Sequence, residues 1–146
     1  MDKESHKRFW FFTLHTDHKG EQSQIESCRL VLDRIKKMCH GERAVLTGDF
    51  NVGETSTCHS IICESGILRD AYDSSPIRLT TTGTENWFDP DIKTFRRIDH
   101  IFITPGFTPL RYGILTDTYR VPTDVPGKYR AHTPSDHFPV VVELAY

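Results

Sequence analysis

Between Phe9 and Thr47 the spacing of the apolar residues changes twice, and that change limits the fold more than any other feature of the chain. Phe9-Trp10-Phe11-Phe12-Thr13-Leu14-His15 is aromatic on both faces and reads as a central strand covered on both sides, with His15 at its end. The spacing then shifts to alternating steps of three and four at Ile25, Cys28, Leu32, Ile35 and Cys39, which predicts an amphipathic helix over 24–39. Ser23 and Glu26 form a capping-box pattern at its start, and Gly41 ends it. Ala44-Val45-Leu46-Thr47 reads as a short buried strand running into Gly48-Asp49-Phe50-Asn51. Strand, helix and strand in that order predict an α/β layer structure.

The rest of the chain changes character. Thr57 to Glu64 reads as a second, shorter helix, and residues 74–94 as turns with one edge strand at most. Arg97 to Thr104 is a strand stopped by Pro105-Gly106. Residues 105–135 read mostly as loop, with a strand near Ile114. The last strand runs from Phe138 to Leu144, with Pro139 at its start or on an edge. The later strands are expected to be mostly antiparallel, in one α/β (α+β) domain over 1–146.

Composition excludes several classes. The chain has 146 residues, 37% hydrophobic and 26% charged, which are globular proportions. The longest apolar run is about four residues, too short to cross a bilayer as a helix. A net charge of −2 provides no basic excess, so nucleic acid is not the favoured partner. The charged start, Met1 to Trp10, lacks an apolar signal core. The sequence as given reads as cytoplasmic, or as secreted or periplasmic if an N-terminal portion precedes it.

Candidate chemistry lies at strand ends. Asp99 shares a strand face with Ile101 and Ile103, where an ionised carboxylate needs a partner or the solvent rim. Asp49 and Asn51, two apart after a buried strand, suit either a ligand crevice or a plain turn. His137 opens the last strand; alone it is an ordinary structural histidine, whereas a carboxylate such as Asp99 would fix its tautomer and keep it basic. His15-Thr16-Asp17-His18 suits a metal or a polar loop, and Trp87 with Phe88 suits a pocket cap or a loop anchor. Cys58, His59 and Cys63 lack a standard zinc spacing. The four cysteines read as buried thiols, and Lys7, Arg8, Arg96 and Arg97 as solvated charges.

Four segments together carry a resemblance. Leu46-Thr47-Gly48-Asp49-Phe50-Asn51 is similar to the GDFN signature of the endonuclease/exonuclease/phosphatase (DNase I-like) superfamily. Arg97-Ile98-Asp99-His100-Ile101-Phe102 resembles its RIDHIF strand. Pro134 to Val140 resembles its SDHxPV ending, and Thr13 to His18 its NTHLDH strand end, with Thr13 where Asn is usual. The resemblance implies part of a four-layer α/β/β/α sandwich and a metal-dependent phosphoesterase cleaving a phosphodiester or phosphomonoester with activated water. It implies catalytic roles for His15, Asp49, Asn51, Asp99 and His137. Asn51 and His15 would contact the substrate phosphate, and Asp136 would lie near the metal. Mg²⁺ or Mn²⁺ is the implied cofactor.

The family is typically about twice this length, so the chain resembles its C-terminal half. The Gln-Glu motif that bears the principal metal ligand has no counterpart in this sequence. Weak Mg²⁺ binding is therefore expected. So is an uncovered apolar face near Trp10, Phe12, Val45 and Ile101, met by a second copy or a complementing N-terminal half. The alternative is an inactive fragment or interaction module of the same fold.

Overall fold

The strand β1 (Trp10–His15) leads through a polar turn into α1 (Glu21–Cys39) and returns as β2 (Ala44–Asp49), parallel to β1. The computed structural model describes Lys3, residues 6–92 and residues 94–146. Helix α1 begins earlier than the capping-box pattern predicts. Its N-cap is Gly20, without a side-chain cap, so the Ser23–Glu26 box does not form. The Asp17 carboxylate instead accepts from the Lys19 and Gly20 amides at 2.9 and 3.1 Å, which orders the turn ahead of the helix. The buried stripe is Cys28, Leu32, Ile35 and Cys39, as the spacing predicts. His40 and Gly41, both at positive φ, end the helix.

The strand β4 (Asp99–Ile103) lies antiparallel to β2, and β3 (Arg69–Asp70) lies antiparallel on its other side, so the sheet order is β1-β2-β4-β3. Helix α2 (Thr57–Cys63) packs against α1 over one face of this sheet, and α3 (Ala71–Ser74) is a single turn after β3. The other face meets an antiparallel pair, β5 (Thr108–Ile114) and β8 (Val140–Ala145). Among the described residues these form a mixed α/β structure of three layers: helices, a mixed sheet and a second antiparallel sheet. They account for all but the outer helical layer of the expected sandwich.

Each strand side has its own core. Leu46 and Phe102 face the helices with Cys28, Ile35, Phe50 and Ile62, while Val45, Ile101 and Ile103 face β5 and β8 with Phe107, Tyr112 and Phe138. Three expectations need correction. The first strand is not central, because β1 stands at the sheet edge among the described strands. Trp10 and Phe12 pack against the helix-side core, and Val45 and Ile101 are buried. On the inter-sheet side it is Phe11, 61% exposed, that stays open. The two-residue alternation explains this, since Phe11 shares its face with Val45 rather than with Trp10. The third concerns 105–135, where β6 (Tyr119–Pro122) and β7 (Tyr129–His132) form an exposed ribbon. With neither face buried, its sequence carries no alternation to read.

The thiols are free, with Cys28, Cys39 and Cys58 buried and Cys63 half-buried. Burial, with Cys58 alongside, pushes the Cys28 thiol up to about 12, so it is an inert apolar group.

Candidate active site

Strand register sets the site. His15 lies beside Asp49 across the parallel β1–β2 pair, and Asp49 lies opposite Asp99 across the antiparallel β2–β4 pair. The three side chains therefore form one row at the end of the sheet. Two carboxylates directly opposite one another repel, and such a pair needs cations. His137, brought in just before β8, places Nδ1 2.8 Å from Asp99 Oδ2 and Nε2 4.0 Å from Asp49 Oδ2. His15 Nε2 stands 3.3 Å from the same Asp49 oxygen.

The turn after β2 explains the choice of residues. A Cβ on Gly48 would lie 1.8 Å from the Leu14 carbonyl oxygen, so only glycine allows β1 and β2 to approach so closely here. Asn51 takes a left-handed φ of 53°, a conformation asparagine tolerates, and its backbone N–H donates to Asp49 Oδ1 at 2.8 Å. Its Nδ2 donates to the Thr16 carbonyl at 2.9 Å, which leaves a second amide hydrogen. With Oδ1 held, Asp49 Oδ2 is the oxygen facing the imidazoles.

Burial by itself lowers the basicity of His137, but the Asp99 hydrogen bond and the charges of Asp99, Asp49 and Asp136 outweigh it. The pKa is raised above the ordinary 6.5, which favours imidazolium. The expected partnership of His137, Asp99 and the Gly-Asp-Phe-Asn turn is thus present. Asp136 is exposed beside it, its carboxylate accepting from Ser135 Oγ at 3.2 Å. His15 is exposed, and the Asp17–His18 loop beyond it serves the helix start.

As a magnesium cage the row does not fit. Mg²⁺ takes an octahedral shell of oxygens. Here Asp99 Oδ2 is engaged by His137, Asp49 Oδ1 by an amide, and Asp49 Oδ2 faces two imidazoles. A cleft of about 1070 Å³ opens from the row between the sheets, with Asp49, Asp99, Ser135 and His137 at one end and Phe11, Val45, Val142 and Leu144 along its walls.

Sequence reasoning missed a second cluster, on the helix side of β4. Asp70, fully enclosed, receives Arg97 Nη1 at 3.1 Å and His59 Nε2 at 2.9 Å, with His100 Nδ1 at 3.7 Å. Arg97 is buried rather than solvated, and its guanidinium lies 3.8 Å over the Tyr72 ring. Despite burial, the neighbouring His100 and His59 rings and the Arg97 charge hold the Asp70 carboxyl well below the usual range. His100 Nε2 donates to the Val52 carbonyl at 2.9 Å, tying the cluster to the loop after Asn51. The legible signal was alternation, since His100 follows Asp99 and must point the other way.

The endonuclease/exonuclease/phosphatase family model matches residues 8–137. The chain belongs to the endonuclease/exonuclease/phosphatase family. Among solved structures of that family, a mannosyl-6-phosphatase of Bacteroides thetaiotaomicron VPI-5482 is 47% identical with a TM-score of 0.87, over 93% of this chain and 51% of that one. Another family protein from Bacteroides thetaiotaomicron is 46% identical with a TM-score of 0.90, over 97% of this chain and 51% of that one. Staphylococcus aureus beta toxin with bound magnesium ions, at 16% identity and a TM-score of 0.57, covers 89% of this chain and 51% of its own and shares the fold. The chain spans about half the length of these structures. Among curated proteins none matches the chain.

Proposed function

We propose that this chain carries the acid–base part of a phosphoesterase site, in which water attacks a phosphodiester or phosphomonoester. The observation that carries the reading is the row His15–Asp49–Asp99 met by His137, with Nδ1 held 2.8 Å from Asp99. Asp99 fixes the imidazolium, whose Nε2–H then faces a non-bridging phosphate oxygen as negative charge builds there. Asp49 Oδ2 takes the proton of the attacking water. The second amide hydrogen of Asn51 and the exposed ring of His15 add donors to the phosphate. The chemistry needs a charged His137, so the rate falls as pH passes the raised pKa of that residue.

Relatedness to a mannosyl-6-phosphatase at 47% identity supports a monoester and a phosphate-bearing small molecule over nucleic acid. We carry Mg²⁺ or Mn²⁺ forward as part of the proposal, with Asp136 contributing from this chain and further carboxylates from outside the row. The apolar cleft supports a partner there, a complementing N-terminal half or a second copy.

The test is hydrolysis of p-nitrophenyl phosphate and its bis ester, with Mg²⁺, by the chain and by Asp49→Ala and His137→Ala variants. Each variant should lose about 10²–10⁴-fold. Equal rates in all three would overturn the reading. The open cleft also favours a second reading, a non-catalytic module of the same fold. Absence of turnover in every form, with a partner protecting Phe11 from hydrogen exchange nearby, would support it.

A further inference from the structure

Trp87 and Phe88 are consecutive, 67% and 57% exposed, and both have positive φ, 50° and 64°. Bulky residues avoid that conformation. Neither ring pairs with another aromatic ring among the described residues, and more than half of each residue's surface is open to water.

The surrounding contacts enforce this presentation. Asn86 is fully buried, and its Oδ1 accepts from the Phe88 amide at 2.8 Å and from Thr133 Oγ1 at 3.0 Å. The Asn86 and Trp87 amides both donate to the Asp136 carbonyl, at 2.7 and 3.0 Å. The same stretch is bound to the candidate site. Glu85 pairs with His137 in an isolated antiparallel bridge, and the Phe138 amide donates to the Thr84 carbonyl at 2.7 Å. Thr84 Oγ1 accepts from the Ile98 and Asp99 amides at 2.9 and 3.1 Å. Two aromatic side chains are thus held out to water on the segment that braces both members of the His137–Asp99 pair.

We propose that Trp87 and Phe88 form a shelf for the organic part of the phosphate ester, and that this part is an uncharged sugar ring. The inference rests on the phosphoesterase reading and deepens it. The chemistry of the rim selects the ligand. Asp89, Asp91 and Asp136 are exposed around the aromatic pair. Carboxylates repel polyanions such as nucleic acid and accept hydrogen bonds from hydroxyls. A pyranose offers an apolar C–H face to an aromatic ring and hydroxyls at its edge. A quaternary ammonium group asks for a cage of rings, whereas two neighbouring residues provide an open surface.

The experiment follows Trp87 emission in a Trp10→Phe background. The ligands are inorganic phosphate, methyl phosphate, phosphocholine, glucose 6-phosphate and its C2 epimer. A hexose phosphate should bind about three- to tenfold more tightly than methyl phosphate, the range of an aromatic contact. Trp87→Ala, followed by calorimetry, should remove that advantage and leave affinity for inorganic phosphate unchanged. Trp87→Gly should not lower stability, because glycine accepts positive φ freely. An unchanged hexose preference in Trp87→Ala and Phe88→Ala overturns the shelf, as does a larger gain for phosphocholine. If no phosphate ester binds, the phosphoesterase reading fails first. Methyl α-glucoside then decides the shelf: a change in Trp87 emission upholds it, and none ends it.

Discussion

The strand β4 carries an Asp–His association on each of its faces, and the two differ chiefly in their access to water. On the inter-sheet face, Asp99 and Asp49 meet His137 and His15, all at least partly exposed. On the helix face, Asp70 meets Arg97, His59 and His100, all buried. The enclosed carboxylate is held by Arg97 and His59 and is closed off from water. The half-open row keeps Asp49 Oδ2 and His137 Nε2 facing solvent, 4.0 Å apart. The same pair of residue types is therefore a structural brace where it is enclosed and, in the proposed function, a reactive pair where it is open. The brace also holds the open row in place, through the His100 hydrogen bond to Val52.

Removing one charge from each cluster tests this most severely. Arg97→Met strips the enclosed Asp70 of its permanent counter-charge and should destabilise the chain by about 3–5 kcal/mol in urea unfolding. Asp99→Asn, at the solvent edge, should cost less than about 1 kcal/mol while impairing hydrolysis. Equal stability losses would remove the distinction between brace and reactive pair.

A pH series sharpens it further. Burial opposes the charge on His59, but the Asp70 hydrogen bond leads the effects that raise its pKa from 6.5 to about 9. A folded pKa above the unfolded one means stability is fully present below about 6.5 and drains away as pH rises through about 9. The change should be on the order of 3 kcal/mol. His137 is raised in the same direction and adds a smaller part, being more open to solvent. His59→Gln should flatten most of the slope in urea midpoints taken at pH 6, 7.5 and 9.5. A wild-type profile flat across that window would mean His59 is neutral in the fold.

These two clusters were unequally legible in the sequence. The helix stripe from Cys28 to Cys39 could be read because its period fixes it, whereas period and local chemistry left Asp49, Asn51 and Asp99 open and only the resemblance of their motifs singled them out. The edge position of β1 could not be read, since residues apolar on both faces suit a strand at either place. The Asp70–Arg97–His59 brace joins β3, β4 and α2, segments whose separation in sequence hides their contact. Arg97 looked solvated because an isolated arginine in a sequence usually is. The β6–β7 ribbon went unread because exposure on both faces leaves no apolar pattern, and the several prolines and glycines of 105–135 read as loop.

The smallest expected effect belongs to Asp136, which stands between the two descriptions: exposed, yet one of the charges that raise the pKa of His137. Asp136→Asn should change stability by no more than about 0.5 kcal/mol. It should move the His137 titration, followed by NMR of the ring protons, to lower pH, and carry the alkaline limb of the rate with it. If the residue acts on His137 only through its charge, the shift is the same with and without Mg²⁺ and shrinks as salt is raised. If it also contributes to a divalent-cation site, the loss of rate is larger when Mg²⁺ is limiting and recovers as Mg²⁺ is added. A titration of His137 that does not move at all would detach Asp136 from the row and leave Asp99 and Asp49 as the carboxylates that set its charge.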